Sequence, residues 1–217
     1  MNSTTPLQLI QFRAAYNLPV HVALEIGHFS RHGLEVEVAY TPGSTYLIEA
    51  LKAGKFHLGH TAADDVIAEV ESQTSRGNAG SDLCLFMGLH SGLLCLVGSP
   101  ENRDIKSLRG KSLAVDARTT GFVFILEKAL RSRGIGPKDY TLVEVGGWES
   151  RCSALLDGRS SATLLTQPYV GYALEAGCHL LARGDEMMPV YQATCGSVSR
   201  AWARENADTL THYIQAY

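Results

Sequence analysis

The chain has 217 residues and a formal net charge of -3, with 45% hydrophobic and 19% charged residues. This length can bury one large core or two small ones, and the composition is typical of an ordered globular protein. The weak negative charge gives no basic field for nucleic acid, and no apolar run in the sequence approaches the roughly 20 residues that span a bilayer. We therefore expect a globular monomer that neither binds nucleic acid nor inserts into a membrane.

The N-terminal residues and the cysteines bear on where the protein works. Residues 1–6 carry neither the basic residues nor the apolar stretch of an export signal. Two locations stay open: the periplasm, if an export signal was removed from this chain, and otherwise the cytoplasm. The five cysteines form no CxxC pair, so we expect buried free thiols, and their odd number favours a reducing compartment.

Predicted strands and helices alternate along the first half of the chain. Residues 7–12 predict a buried strand, and apolar residues recur every three or four positions within 18–29, which predicts a helix. Residues 34–40 and 56–60 predict the next two strands, each followed by a predicted helix. A surface loop rich in glycine and serine is expected at 72–81.

The second half of the chain repeats this alternation. Its predicted strands are 112–115, 141–145, 162–165 and 178–182. Helical periodicity follows each of the first three strands, and this order predicts parallel sheets with right-handed crossovers. The apolar run at 83–97 predicts a pair of strands that joins two lobes.

Several short motifs, in this order, resemble those of a known family. Residues 27–36 match the pattern G-x-F-x-x-x-G-L-x-V, and residues 50–54 and 154–158 both match A-L-x-x-G. Residues 107–115 resemble D-L-K-G-K-x-I-A-V, and Gln167-Pro168-Tyr169 also has a counterpart in the family. Together these motifs make the chain resemble the periplasmic solute-binding proteins of ABC importers, of the nitrate/sulfonate/taurine and thiamine-precursor type.

This resemblance implies an α/β fold of the type II periplasmic-binding-protein class. Each of its two lobes is expected to contain a mixed, mostly parallel sheet with flanking helices, and the ligand cleft is expected between the lobes. We assign residues 1–89 and 200–217 to the first lobe and residues 90–199 to the second. Compared with the family, the first lobe is expected to lack its last helices.

In open α/β sheets, ligands bind beyond the carboxyl ends of the strands, where loops lead into helix starts. The loops at this edge predict the following ligand-binding residues: Arg13, Tyr16, Asn17, Ser44, Thr45, Tyr46, His60, Thr61, Arg118, Thr119, Thr120, Gly121, Trp148, Gln167 and Tyr169. Residues 118–121 combine helix-start N–H groups, two hydroxyls and an arginine, which can hold an oxyanion. The alternative is an N-cap threonine beside a solvated arginine.

Four of these candidate residues are aromatic. Tyr16, Tyr46, Trp148 and Tyr169 can stack on a planar ligand, or they can pack at the edges of the lobes. We favour an organic ligand that has a ring and an anionic group. The histidines lack the accompanying carboxylates of a metal site, so we expect no metal, and the motifs predict no cofactor.

The resemblance implies a solute-binding protein that closes its lobes on a small organic anion (sulfonate-, carboxylate- or heterocycle-like) for an ABC permease. Its hinge crossings are expected near 89–92 and 195–199. The first alternative is an enzyme on the same fold, similar to a desulfinase, a decarboxylase or the thiamine-pyrimidine synthase, and the second is a sensing module without transport. Residues 13–17 lack the cysteine nucleophile that desulfinases carry there, so we assign no catalytic residue; Cys152 and Cys195 are the remaining nucleophile candidates.

Overall fold

Two sheets with flanking helices form the two lobes of the molecule. The computed structural model describes residues 6–75, 81–91 and 93–217. Of the loop expected at 72–81, residues 72–75 are helical instead, and residues 76–80 lie outside the described residues. The strands are β1 (Leu7–Gln11), β2 (Val36–Tyr40), β3 (Leu58–Ala62), β4 (Leu83–His90), β5 (Cys95–Gly98), β6 (Ser112–Val115), β7 (Thr141–Glu144), β8 (Ala162–Leu165), β9 (His179–Arg183) and β10 (Thr194–Ser199).

The helices follow the strands in the predicted alternation. They are α1 (Leu18–Glu25), α2 (His28–Arg31), α3 (Ser44–Lys52), α4 (Ala63–Ser75), α5 (Gly121–Arg131), α6 (Trp148–Leu156), α7 (Tyr169–Glu175), α8 (Gly184–Met187), α9 (Arg200–Glu205) and α10 (Ala207–Ala216). Within the described ranges, no helix is long and apolar enough to cross a bilayer.

Each lobe contains one five-stranded mixed sheet. The strand order is β2-β1-β3-β10-β4 in the first lobe and β7-β6-β8-β5-β9 in the second. Strand β1 is parallel to β2 and β3, and β6 is parallel to β7 and β8, whereas β10 and β5 run antiparallel to their neighbours. Strand β1 buries Leu7 and Leu9 on one face of the sheet and Ile10 on the other. This is the two-lobed, mixed α/β fold that the sequence predicted.

Strand β10 corrects the predicted boundary between the lobes. The chain leaves the first sheet after β4 and returns through residues 184–193, so residues 194–199 lie in the first sheet. The assignment of residues up to 199 to the second lobe, with a hinge at 195–199, is therefore wrong for this strand. The segment Thr-Cys-Gly-Ser-Val-Ser carries little apolar signal. Its place is set by backbone pairing with β3 and β4, which lie far away in the sequence.

The predicted helix at 18–29 is divided at Gly27, whose φ of +68° belongs to the left-handed region. Phe29 is buried, but Leu18, Val22 and Ile26 are exposed by 61%, 45% and 54%. The spacing of these residues shows that they share one face of the helix, but it does not show whether that face is buried against the lobe. In the structure, Val20 and Ala23 of α1 face the core instead.

A buried polar chain fixes α10 to the first lobe. The Asn17 amide donates to the Phe12 carbonyl (2.8 Å), and this orients its Oδ1 toward Nδ1 of His60 at 3.2 Å. Burial lowers the pKa of His60 to about 3, so its ring is neutral. Because Asn17 Oδ1 can only accept, Nδ1 of His60 carries the proton, and Nε2 accepts from the Tyr213 hydroxyl at 2.9 Å.

Replacing Tyr213 by Phe removes this last donor and leaves a buried histidine nitrogen without its partner. We expect Tyr213→Phe to lower the free energy of unfolding by about 1–3 kcal/mol in urea titrations. The matched control is Tyr46→Phe, because the Tyr46 hydroxyl accepts from Lys55 at the surface; its effect should stay within about 0.5 kcal/mol. Equal losses in the two variants would contradict this role of Tyr213.

Candidate ligand-binding cleft

The loops at the carboxyl ends of the strands meet where the two lobes face each other. Two backbone hydrogen bonds cross this boundary, from Gly147 N to the Pro42 carbonyl (2.9 Å) and from Ala15 N to the Gln167 carbonyl (2.9 Å). The Trp148 indole N–H also donates to the Tyr16 hydroxyl across the boundary, at 3.2 Å. One continuous apolar core includes residues of both lobes. The lobes are therefore closed on each other in this structure.

The first cavity at the boundary, which we call the aromatic cavity, has a volume of about 360 Å³. It is lined by Phe12, Arg13, Tyr40, Thr41, Pro42, Gly147, Trp148, Glu149, Ser150 and Tyr169. The guanidinium carbon of Arg13 lies 4.0 Å from the centre of the Tyr40 ring. The structure thus brings three predicted residues (Arg13, Trp148 and Tyr169) into one cavity with two further aromatic rings.

The second cavity, which we call the polar cavity, has a volume of about 540 Å³ and lies between α3, α4 and the start of α5. It brings together the predicted residues Ser44, Thr45, Arg118, Thr119 and Thr120. The sequence did not predict the carboxylates Glu49, Asp65 and Glu69 or the cation Lys52 in this wall. Lys52 pairs with Glu49 at 2.9 Å and with Glu69 at 2.8 Å.

The predicted oxyanion site at residues 118–121 is not free in this structure. The guanidinium of Arg118 donates to the Leu142 carbonyl (2.7 Å), and the backbone N–H of Arg118 donates to the Glu144 carboxylate. The Gly121 N–H at the start of α5 faces Oδ1 of Asp65 at 3.4 Å. The helix start does hold an oxyanion, but that oxyanion is a carboxylate of the first lobe.

A second carboxylate, from the second lobe, accepts from a helix start of the first lobe. Asp116, which follows β6 in the second lobe, accepts from the backbone N–H of Ser44 at 3.0 Å, and Ser44 begins α3 in the first lobe. Asp65 and Asp116 are both 7% exposed. The sequence gives no sign of either contact, because the N–H group that each aspartate binds lies in the other lobe.

Arg151 is the other central residue that the sequence did not predict. It is 2% exposed, and its guanidinium lies 4.0 Å above the Trp148 ring and donates to the Leu164 carbonyl at 3.2 Å. Burial lowers the pKa of Arg151 to about 10, while the negative charge of Asp116 opposes this shift. Arg151 is therefore a buried cation that offsets the charges of the two aspartates.

The remaining predicted residues lie elsewhere. Asn17 and His60 are fully buried in the polar chain described above, and the Thr61 hydroxyl donates to Asp65. Tyr46 is exposed and contacts Lys55, and Gln167 is exposed and its side chain accepts from the Gly171 N–H. None of these five side chains lines either of the two cavities.

Comparison with known proteins identifies the family. The sequence model described as NMT1/THI5 like matches residues 14–217, which is nearly the whole chain. The chain belongs to the NMT1/THI5-like family. No curated protein sequence matches it significantly.

Solved structures share the fold of this NMT1/THI5-like protein. The alkanesulfonate-binding protein SsuA from Xanthomonas axonopodis pv. citri, bound to MOPS, is 17% identical with a TM-score of 0.81, and the match covers 100% of this chain and 73% of SsuA. The periplasmic nitrate-binding protein NrtA from Synechocystis PCC 6803 is 12% identical with a TM-score of 0.86, with coverage of 99% and 60%. A zinc-bound ligand-binding component of an ABC-type import system from Staphylococcus aureus is 14% identical with a TM-score of 0.83, with coverage of 99% and 72%.

The predicted resemblance to periplasmic binding proteins of the type II fold is confirmed by the family and by these structures. At such identities the structures establish the shared fold alone. They cover more length than this NMT1/THI5-like chain, which spans between 60% and 73% of the three proteins.

The two candidate nucleophiles in this NMT1/THI5-like chain are not activated thiols. Burial raises the pKa of both the Cys152 and the Cys195 thiol above the usual value, whereas a nucleophilic thiol needs a lowered pKa. Among the described residues, the structure contains no group of three or more histidine, cysteine or acidic side chains placed to hold a metal ion.

The burial of Asp65 predicts an unusual pH dependence of stability. Burial raises the pKa of Asp65 to about 6, and a hydrogen bond from Thr61 limits the rise. Because the folded-state pKa lies above the unfolded value, the protonated form of Asp65 favours the folded state. Its contribution to the free energy of unfolding is largest below about pH 4 and is lost as the pH rises through about 6. Between pH 4 and 7, the wild type should lose about 2 kcal/mol of unfolding free energy relative to Asp65→Asn.

The measurement is a set of urea titrations from pH 4 to pH 7 on the wild type and on two variants. Taking differences removes the contribution of the histidines, which all the proteins share. Asp82→Asn is the control, because hydrogen bonds from Ser199 and Ala201 lower the pKa of Asp82, so its titration lies below this range and its difference from the wild type should stay nearly constant between pH 4 and 7. A difference between wild type and Asp65→Asn that does not change with pH would contradict the assignment.

Proposed function

We propose that this protein captures a small organic solute between its two lobes, as the solute-binding component of an ABC importer. The observation that carries the proposal is that the aromatic cavity has walls from both lobes. A cavity at such a boundary gains or loses half of its wall when the lobes move, so closure can trap a ligand. Its volume of about 360 Å³ suits a small molecule.

The chemistry of the aromatic cavity supports a planar ligand with an anionic group. Phe12, Tyr40, Trp148 and Tyr169 supply ring surfaces on which a planar molecule can stack. Arg13 lies on the Tyr40 ring and makes no ion pair in the described part of the chain. Its guanidinium is therefore available to a carboxylate or a sulfonate.

The polar cavity is a less suitable site for an anionic ligand than the aromatic cavity. Three carboxylates line it, against the single Glu149 in the aromatic cavity, and its lysine is already paired with two of them. An anion placed there would meet repulsion from Glu49, Asp65 and Glu69. We therefore place the anionic solute in the aromatic cavity, and not at residues 118–121.

The partner and the location are part of the same proposal. Proteins of this fold include one named as a component of an ABC-type import system and others named as periplasmic. On this basis we propose an ABC permease as the partner and the periplasm as the location. The raised thiol pKa values of Cys152 and Cys195 disfavour an enzyme with a cysteine nucleophile, such as a desulfinase.

Tryptophan fluorescence tests the proposed binding. The chain has two tryptophans, and Trp202→Phe leaves only Trp148, in the wall of the aromatic cavity. Titrating this variant with benzenesulfonate, benzoate and a carboxylated pyrimidine should give a saturable change in emission for at least one of them. Arg13→Ala in the same background should weaken that ligand at least tenfold, because an ion pair within the cleft is lost.

Arg133→Ala is the matched control, because Arg133 is exposed and lines neither cavity. It should leave the affinity unchanged. No saturable response to any of the three probes, or equal affinity losses in Arg13→Ala and Arg133→Ala, would contradict the proposal. A ligand that the protein converts into another product would instead support the enzymatic alternative.

A further inference from the structure

Several helices begin at the boundary without a side-chain cap of their own, and two of them, α3 and α5, meet a carboxylate of the opposite lobe. The residue before α3 is Gly43, which has no side chain, and Thr120 before α5 turns its hydroxyl back to the Ala117 carbonyl. Their first-turn N–H groups receive a carboxylate from the opposite lobe, Asp116 for α3 and Asp65 for α5. Both helices therefore depend on the other lobe for a partner.

The backbone provides space for these carboxylates. A Cβ atom on Gly43 would lie 2.9 Å from Oδ1 of Asp116, and a Cβ atom on Gly121 would overlap the carboxylate of Asp64, the neighbour of Asp65. Neither glycine has a positive φ, so the close approach is the reason for glycine at both positions. Any side chain there would displace an acidic group from the boundary.

The boundary brings the two carboxylates together with hydrogen-bond donors and a buried cation. Ser44 acts on both carboxylates, since its N–H donates to Asp116 and its side chain lowers the pKa of Asp65. The buried guanidinium of Arg151 interacts favourably with both aspartates. Two helix starts and a buried arginine supply partners for the two carboxylates, and they offset part of the cost of burying these charges.

We propose that Asp65 and Asp116 form a reciprocal latch, in which each carboxylate stands in for a bound oxyanion at a helix start of the opposite lobe and closes the lobes without solute. The latch goes beyond the proposed function, because it acts in the empty protein. A solute that binds in the aromatic cavity then adds to a closure that the two carboxylates already favour.

Small-angle X-ray scattering of the solute-free protein tests the latch. Asp65→Ala and Asp116→Ala should each raise the radius of gyration by about 1 Å above the ~17 Å of a compact chain of this length. Asp82→Ala is the matched control: Asp82 accepts from Ala201 N at the start of α9, but both residues lie in the first lobe. Its radius should equal that of the wild type.

A glycine variant tests the latch without removing a charge. Gly43→Ala should open the lobes, because the new methyl group displaces Asp116 while the extended backbone at φ -178° accepts alanine. Gly136→Ala is its control, since a Cβ there meets only Asp139 at an ordinary 3.7 Å. This pair keeps the test decisive if an aspartate variant fails to fold.

Acetate then tests the stand-in role directly. In Asp65→Ala and Asp116→Ala, 100 mM acetate should return the radius of gyration to the wild-type value, whereas chloride at equal ionic strength should not. Unchanged radii in Asp65→Ala, Asp116→Ala and Gly43→Ala, or opened lobes that acetate does not close, would overturn the latch. Because no solute is present, failure here is separate from failure of the binding experiment.

Discussion

Backbone N–H groups at the helix starts are the constraint around which the two lobes meet. In strand–helix units with parallel strands, each helix begins near the carboxyl end of the preceding strand, so unpaired N–H groups collect at one edge of each sheet. Here the two edges face each other, and the starts of α3 and α5 find their partners in the opposite lobe. Each lobe completes the backbone hydrogen bonding of the other.

At this boundary, apolar burial holds the lobes together, whereas the carboxylate contacts set their relative orientation. The shared core, in which Trp148 packs against Phe12 and Phe122, supplies most of the attraction, since burying an aromatic side chain contributes about 1.5–3 kcal/mol. That attraction has little directional preference. The carboxylate contacts are few, and each contributes about 1.5–3 kcal/mol because one partner is charged, but they fix one relative orientation of the lobes.

Periodicity and motif order were sufficient to predict the alternating elements, the two lobes and many residues at the boundary. Ser44, Arg118 and Thr120 lie in one cavity and Arg13, Trp148 and Tyr169 in another because strand ends dictate where such loops meet. The sequence could not show that Asp65 and Asp116 fill the helix starts, since each contact joins residues more than 50 positions apart. Arg151 was missed because an arginine within a helix normally faces solvent.

The position of β10 has a consequence for how the protein is made. This strand lies between β3 and β4, so a ribosome must synthesise the entire second lobe before the first sheet receives its inner strand. Until residues 194–199 emerge, β3 and β4 each present an unpaired edge, which is the kind of surface on which nascent chains pair with one another. The second lobe can meanwhile form its own sheet from consecutive residues, so it is the part of the chain that can fold during synthesis.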